Sequence, residues 1–242
     1  MSAPCFAQEQ REQQVHSVQN FDFKIKAGAN IGGTSPMGIP AQIRKIKSFN
    51  PLISLSIEVN AVYWLSPEVG VFTGVRFENK GMTTQARVKE YNVRLKQDDG
   101  EIAGLFTGEV ETKVKNGYLN IPLALYFCWL SSFNVHFGGY YAYLLDPSFT
   151  GSVYDGYLRT GDVGQEYNIS MPQENPSYYD FSNELNKHDF GLLGGIEWNV
   201  TRHFLLSFDL NWSLRRIFPA AFTGMNIAMY NVYGNFAFGY LF

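Results

Sequence analysis

Apolar and polar residues alternate with a period of two along much of the chain. Between Phe21 and Ile31 every odd position is apolar, and every even position is polar or glycine. Successive side chains of a β-strand point to opposite faces, so this pattern predicts a strand with one face in an apolar medium. Similar alternation recurs at 53–63, 69–77, 119–129, 133–143, 189–198, 204–213 and 230–242. We therefore predict an all-β chain of about eight strands, because no helical period of comparable strength competes with the alternation.

The connections between these segments are alternately short and long. Short connections occur at 65–67, 130–132 and 199–202, and long ones at 32–50, 79–117, 145–187 and 214–225. This layout is typical of transmembrane up-and-down antiparallel barrels, which have short periplasmic turns and long extracellular loops. Within the second long connection, 86–95 and 102–114 also alternate, and they are candidates for strands that project past the membrane.

The two faces of the predicted strands differ in bulk. The apolar face carries Phe, Tyr, Trp, Leu and Ile at nearly every position, which is too much volume for the interior of an eight-stranded barrel. Small residues on the opposite face include Gly28, Gly70, Gly74, Ala124, Gly138, Gly191, Gly195 and Gly239. We therefore expect the bulky face to point outward into lipid and the polar face to line the lumen.

Aromatic residues mark both the short-turn end and the last strand. Trp64, Trp129 and Trp198 lie at strand ends beside the short turns, which predicts a belt at the periplasmic membrane interface. The last strand carries Phe238, Tyr240 and Phe242 on one face, and it resembles the C-terminal signal that the barrel-assembly machinery reads. In a soluble protein this strand would be an exposed apolar edge, whereas closure against the first strand removes the edge.

Charge and hydropathy narrow the class of protein. A formal net charge of −3 and a pI near 5.8 leave no basic footprint for nucleic acid. The longest apolar run, 121–130, is about half as long as a membrane-spanning helix requires. A mean hydropathy of −0.15 is compatible with a membrane barrel, because alternation averages the apolar face against the polar one.

The amino-terminal residues are predicted to precede the barrel domain. Residues 1–7, MSAPCFA, look like the tail of a secretory signal peptide that ends at Ala7, although an ordinary N-terminus is the alternative. A lipoprotein site at Cys5 is a weaker fit, because Pro4 stands where a small residue is expected. We assign 8–20 to a polar periplasmic segment and 21–242 to the barrel. Cys5 and Cys128 give neither a disulfide framework nor a metal-ligand spacing, and no cofactor or metal is predicted.

Several short motifs resemble those of one family. They are Tyr118-Leu-Asn-Ile-Pro-Leu-Ala-Leu125, Gly138-Gly-Tyr-Tyr-Ala-Tyr-Leu144, Asp189-Phe-Gly-Leu-Leu-Gly-Gly-Ile-Glu197 and the closing Gly239-Tyr-Leu-Phe242. In this order they resemble the PorT-like outer-membrane β-barrel family typical of Bacteroidota, over roughly residues 21–242. The long loops match nothing in that family. The resemblance implies a barrel in the bacterial outer membrane, and we do not transfer the founding member's role in protein secretion.

Charged and polar side chains on the predicted lumen face could carry a function. The charged ones are Lys24, Lys26, Glu58, Arg76, Glu78, Glu197 and Asp209. Enclosed charges must pair, because an isolated buried charge is costly, so the set is either a network that plugs the lumen or a path for protons or ions. Of the histidines, only His136 lies in mid-strand, and it faces inward. The alternation assembles no nucleophile and base at the outer rim, so we expect no catalytic residues and no enzyme.

The connection 145–187 is rich in tyrosine, with Tyr154, Tyr157, Tyr167, Tyr178 and Tyr179. Structureless loops of this length are usually functional or disordered, and disordered segments are poor in aromatics. Two interpretations follow. The tyrosines form a contact surface for an envelope protein complex or a glycan, or they pack on 79–117 as an extracellular lid.

Three classes of function remain open at this point. The leading hypothesis is a non-enzymatic scaffold, loop-presenting protein or accessory subunit of an envelope complex. A porin-like channel for small solutes is the alternative, and an enzyme that acts on lipid is the third. The predicted partners are outer-membrane lipid, the barrel-assembly machinery during biogenesis, and a complex or glycan at the long loops.

Overall fold

The computed structural model describes residues 21–36, 38, 40–97, 100–130, 132–160, 167–225 and 227–242. The predicted signal remnant and polar segment, 1–7 and 8–20, lie outside these residues. The strands of the described part are β1 (Phe21–Pro36), β2 (Ile43–Leu52), β3 (Ser54–Trp64), β4 (Val69–Gln97), β5 (Gly100–Leu130), β6 (Phe133–Asp146), β7 (Phe149–Thr160), β8 (Tyr167–Met171), β9 (Ser177–Asp180), β10 (His188–Asn199), β11 (Phe204–Ser213) and β12 (Met229–Leu241). In these ranges no helix is long and apolar enough to cross a membrane.

Eight of these strands form a closed antiparallel ring in the order β1, β3, β4, β5, β6, β10, β11, β12. The ring closes where β1 pairs with β12, from Lys24 opposite Leu241 to Pro36 opposite Met229. Closure leaves the ring without an unpaired edge, as a membrane barrel requires. The prediction of an eight-stranded up-and-down barrel is confirmed.

The apolar face of the barrel wall points outward. On β3, the odd-numbered Leu55, Ile57 and Val59 are more than half exposed, whereas Glu58 and Asn60 are buried. The lumen is narrow enough to demand small residues at some positions. A Cβ atom at Gly195 would lie 2.4 Å from the Nε2 atom of His136, and one at Gly74 would lie 2.3 Å from the Nδ2 atom of Asn60. The inside-out arrangement expected from side-chain volume is therefore observed.

The strands β4 and β5 are about twice as long as the other strands of the ring. They pair from Val69 opposite Phe127 to Gln97 opposite Gly100, so much of the hairpin lies beyond the barrel. The strand β2 pairs with the upper part of β4, β7 pairs with the upper part of β5, and β8 and β9 pair with β7. We call the assembly of β2, β7, β8, β9 and residues 79–97 and 100–117 the headpiece.

The headpiece changes the interpretation of two predicted loops. The pieces 86–95 and 102–114 do belong to strands that extend past the ring. The expectation that 145–187 is a structureless loop is wrong, because β7, β8 and β9 lie within it. The upper part of β5 would otherwise leave a row of backbone groups unpaired on one side, and β7 supplies their hydrogen-bond partners.

Candidate functional site

The charged side chains predicted to face the lumen lie together inside the barrel. Lys24, Lys26, Glu58, Arg76, Glu78, Glu197 and Asp209 are each at most 3% exposed. The structure adds Lys80, which is 1% exposed although it lies in the predicted long connection 79–117. The alternation predicts this inward position, because Lys80 follows Arg76 and Glu78 at every second residue of the same strand. With Lys80 the ion-paired cluster contains four cations and four anions. A fifth buried carboxylate, Asp189 on β10, accepts hydrogen bonds from Ser213 and Asn231.

Glu197 on β10 is the centre of the layer nearest the short turns. Its carboxylate accepts hydrogen bonds of 2.5 Å from the Lys24 ammonium and 2.5 Å from the Tyr126 hydroxyl. Lys26 also approaches Glu197, with 3.3 Å between Nζ and Oε1. These contacts join β1, β5 and β10, so this layer links strands that are not neighbours in the ring.

The middle layer joins β1, β3, β4, β6 and β11. Glu58 lies 3.2 Å from the Lys26 ammonium and accepts a 2.8 Å hydrogen bond from the Arg76 guanidinium. Arg76 also pairs with Asp209, whose Oδ1 atom lies 3.0 Å from Nε2 of His136. A buried carboxylate with two charged or polar partners is compensated for much of its lost hydration. The ion pairs of this layer therefore balance one another and connect opposite sides of the barrel.

Glu78 on β4 organises the upper layer. Its carboxylate lies 3.0 Å from the Lys80 ammonium and accepts hydrogen bonds from the side-chain amides of Asn30, at 3.2 Å, and Asn120, at 2.9 Å. The same ammonium lies 5.0–5.6 Å from the ring centroids of three tyrosines, Tyr118, Tyr140 and Tyr233. Cation–π attraction strengthens when the ring and cation are desolvated, so these rings help to retain Lys80 in the lumen.

Aromatic rings fill space between the charged layers. The Phe72 ring stacks on His136 with 5.0 Å between centroids, and the Trp64 ring meets Tyr126 edge-on at 5.7 Å. Both Phe72 and Tyr126 are essentially inaccessible to solvent. Because rings and ion pairs share the lumen, the interior is a packed polar core.

The prediction that Trp64 belongs to a lipid-interface belt is wrong. Its side chain is 6% exposed, and its indole nitrogen donates a 2.7 Å hydrogen bond to Asp22. Trp64 has the same parity on β3 as Glu58 and Asn60, so it points inward at the short-turn end. The other two members, Trp129 and Trp198, do point outward and are 70% and 44% exposed. Their interface role stays a prediction.

The C-terminal aromatic strand lies on the outer wall beside the closing seam of the ring. Phe238 and Phe242 are exposed, and the Tyr240 and Phe242 rings pack with 5.1 Å between centroids. The backbone amide of Phe242 donates a 3.1 Å hydrogen bond to the carbonyl oxygen of Phe23, so Phe242 is held against β1. A role of these residues as an assembly signal stays a prediction.

The tyrosines predicted to contact a partner are divided between the surface and the interior of the headpiece. Tyr157 and Tyr178 are 43% and 62% exposed, and Tyr154 is half-buried. Tyr179 is 1% exposed, and its hydroxyl lies 2.7 Å from that of Thr112, so its assignment to a contact surface is wrong. Burial raises the pKa of Tyr179 above its ordinary value. The side chain of Tyr167 is outside the described part.

The packing of this segment matches the second interpretation of its tyrosines. Thr112 belongs to β5, and Tyr179 also donates a 3.2 Å hydrogen bond to the carbonyl oxygen of Glu111. Segment 145–187 therefore does pack on 79–117. The exposed tyrosines on its outer face remain available for contacts.

The three histidines in the described part have hydrogen-bond contacts, whereas His16 lies outside it. His136 is paired with Asp209 in the lumen, as described above. On the outer surface, Nδ1 of His188 lies 2.7 Å from the Tyr141 hydroxyl, and Nδ1 of His203 lies 3.2 Å from the carbonyl oxygen of Leu241. Within the described ranges, no group of three or more His, Cys, Asp or Glu side chains is arranged to hold a metal ion.

A comparison with protein families agrees with this architecture. A family model described as "Outer membrane protein beta-barrel domain" matches residues 6–219. No curated protein matches the chain significantly. The solved structures similar to this chain include Ail, the attachment invasion locus protein of Yersinia pestis, at 12% identity and a TM-score of 0.38, over 93% of this chain and 100% of that one. They also include OprG from Pseudomonas aeruginosa, at 13% identity and a TM-score of 0.34, over 91% and 95% of the two chains. Neisserial surface protein A is 11% identical with a TM-score of 0.33, over 93% and 98%.

Proposed function

The chain belongs to the family of outer membrane protein beta-barrel domains, and from this premise we propose that it is a non-enzymatic barrel with a closed lumen. In this proposal the barrel lies in the lipid of the bacterial outer membrane and presents its headpiece to a partner in the cell envelope. The partner is a protein complex or a glycan, and the chain acts as a scaffold or accessory subunit.

The observation that carries the proposal is the ion pairing of every cation in the lumen cluster. Each of the four lumen cations lies within 3.3 Å of a carboxylate oxygen, and the clustered side chains come from both sides of the ring. Removal of one partner from a buried ion pair typically costs about 3–5 kcal/mol, so the barrel resists any rearrangement that separates the charges. This favours a plug over an aqueous path.

The headpiece supports the presenting role. It places Tyr157 and Tyr178 on a surface built from strands, and a rigid support lowers the entropy cost of ordering a contact residue. By contrast, the described contacts of His136, His188 and His203 offer nothing specific to a lipid-acting enzyme. The finer assignment to PorT-like proteins is part of this proposal and rests on the short motifs alone.

A solute-uptake assay tests the closed lumen. Liposomes that contain the purified barrel are diluted into isotonic arabinose, and swelling is followed by light scattering. We expect the swelling rate of protein-free liposomes, with a general porin as the positive control. Swelling that increases with the amount of barrel would instead establish the alternative function, a channel for small solutes.

The presenting role needs a separate measurement. Intact cells are treated with a membrane-impermeant crosslinker, and the products formed by the wild-type chain are compared with those of a Tyr157→Ser/Tyr178→Ser variant. We expect a discrete adduct that the double substitution removes, whereas the buried-site control Tyr179→Phe retains it. Equal adducts in wild type and the double variant would contradict a contact through these tyrosines.

A further inference from the structure

The strands β1 and β2 diverge above the barrel wall. The ladder between β1 and β3 runs from Phe21 opposite Tyr63 to Asn30 opposite Ser54. Above that point, residues 31–36 of β1 remain paired only with β12, and β2 is paired only with β4. No backbone ladder therefore joins 31–36 to β2, and we call this gap the seam.

The seam opens directly above the lipid-facing surface of the barrel. Ile31, at the base of the seam on β1, is 41% exposed on the outer wall. Ile53, which links β2 to β3, and Leu55, near the start of β3, are 75% and 73% exposed. An apolar molecule on the outer wall thus reaches the seam without leaving an apolar surface.

The inner face of β2 is apolar and incompletely covered. Ile43 and Ile46 stand opposite Val88 and Ala86 in the ladder with β4, and both of those β4 residues are buried. Ile46 nevertheless remains 46% exposed. An inward-facing apolar side chain stays exposed here because, among the described strands, only β4 pairs with β2, and its other edge has no partner. Exposed apolar surface of this kind commonly marks a binding site.

A cavity of about 110 Å³ lies behind the seam. Its apolar lining includes Ile46, Phe49, Met82, Ala86, Val110 and Met229. The five hydroxyl groups that also line it already have hydrogen-bond partners; they belong to Thr34, Ser35, Thr84, Tyr91 and Thr112. These hydroxyls therefore have no free proton for an occupant, and the rest of the lining is apolar, so the cavity suits an apolar occupant.

Phe49 stands at the mouth of this cavity. A Cβ atom at Gly33 would lie 2.6 Å from the aromatic ring of Phe49. The Phe49 side chain therefore reaches from β2 across the seam to the backbone of β1. Phe49 is 48% exposed, and it belongs to both the cavity lining and the outer surface. Its ring can therefore move outward without losing a fully buried position.

We propose that this cavity binds a small, uncharged, apolar molecule, of the size of a single benzene ring, which enters through the seam past Phe49. A cavity of roughly 150 Å³ lined by aliphatic and aromatic side chains is known to stay dry and to take up benzene or xenon. The present volume belongs to that class, and it is well below the 300–1,000 Å³ or so of pockets for drug-sized ligands. The occupant is therefore a free small molecule, and the volume is too small for a whole lipid acyl chain.

The test is methyl NMR of the full chain in lipid nanodiscs with benzene as the probe. Methionine is labelled with ¹³C at the methyl group, so that Met82 and Met229 report from the cavity lining. Met171, which is buried in the headpiece and does not line the cavity, serves as the internal reference. We expect saturable shifts of the Met82 and Met229 signals and no saturable shift of Met171. Equal, non-saturating shifts of all three would show partitioning into lipid and would overturn the proposal.

Variants separate the cavity from the lipid surface. Ala86→Leu fills the cavity and should weaken benzene binding at least tenfold, and Thr84→Leu serves the same purpose if Ala86→Leu does not fold. Ala27→Leu adds the same side chain to the outer wall and should leave binding unchanged.

Phe49→Ala should retain binding and speed the exchange of benzene. Undiminished binding in a folded cavity-filling variant would contradict the proposal. So would Met82 and Met229 signals that change with the acyl chains of the nanodisc lipid before benzene is added, since they would identify a lipid chain end as the occupant.

Discussion

Arg76 and Asp209 form an ion pair across the full width of the barrel. Arg76 lies on β4 and Asp209 on β11, and these strands stand four positions apart in the ring of eight. Arg76 is also hydrogen-bonded to Glu58 on the adjacent strand β3. One guanidinium thus connects two neighbouring strands to the opposite wall, which explains how a barrel of this size closes its interior with charges.

Replacement of Arg76 by methionine should strongly destabilise the barrel. The substitution Arg76→Met leaves the carboxylates of Glu58 and Asp209 buried without their shared cation, at an expected cost of about 3–5 kcal/mol. Urea unfolding of the barrel in liposomes measures the change. The control is Arg94→Met, which breaks the exposed pair with Glu101 in the headpiece and should cost about 0–1 kcal/mol. Equal small effects of the two substitutions would contradict the role given to Arg76.

The tryptophans should differ in their access to lipid. In variants that each retain a single tryptophan, brominated phospholipids should quench the fluorescence of Trp129 and Trp198 far more than that of Trp64. The reason is that Trp64 points into the barrel and is hydrogen-bonded to Asp22. Strong quenching of Trp64 by lipid would contradict the inward orientation of this side chain on β3.

The headpiece should lose stability in alkaline solution through Tyr179. Because burial raises its pKa, folding keeps this hydroxyl neutral at a pH where the unfolded chain ionises it. Its stabilising contribution is therefore complete below pH of about 10 and is lost as the pH rises towards the raised pKa, by up to about 1.4 kcal/mol per pH unit. Urea midpoints at pH 8 and pH 10.5 measure the loss. Tyr179→Phe should have a smaller dependence on pH, and an unchanged dependence would exclude Tyr179 as the cause.

Phe242 should affect assembly more than stability. Deletion of Phe242 removes an exposed ring and one backbone hydrogen bond to β1. We expect the purified variant to refold in detergent, with the usual shift in gel mobility on heating, but to reach the outer membrane in lower yield in cells. Phe236→Ala is the control on the same strand and face. Normal yield of the deletion variant would argue against an assembly signal at Phe242.

Much of the barrel was predictable because a strand in a membrane barrel has two distinct environments. Alternation located the eight ring strands and placed Glu58, Arg76 and Asp209 inside. The same alternation places Trp64 inside, and on this strand it is a stronger signal than proximity to a turn. Lys80 was missed because the expected strand ended too early.

The headpiece was harder to predict from the sequence. Its strands β7, β8 and β9 are stabilised by pairing with β5 and with each other, and such pairings depend on residues distant in sequence. The ring of Phe49 against Gly33 has the same origin, because these residues meet only where β1 and β2 diverge. Local alternation contains no information on either relationship.

Planar-bilayer conductance tests the central claim, a lumen closed by ion pairs, most directly. Single barrels are inserted into a bilayer in 1 M KCl, and current is recorded for wild type and for Arg76→Met. We expect no steady open state for the wild-type barrel, because its charged layers stay paired. Arg76→Met should open discrete conducting states as water enters to hydrate Glu58 and Asp209. Stable, large openings of the wild-type barrel would contradict the account.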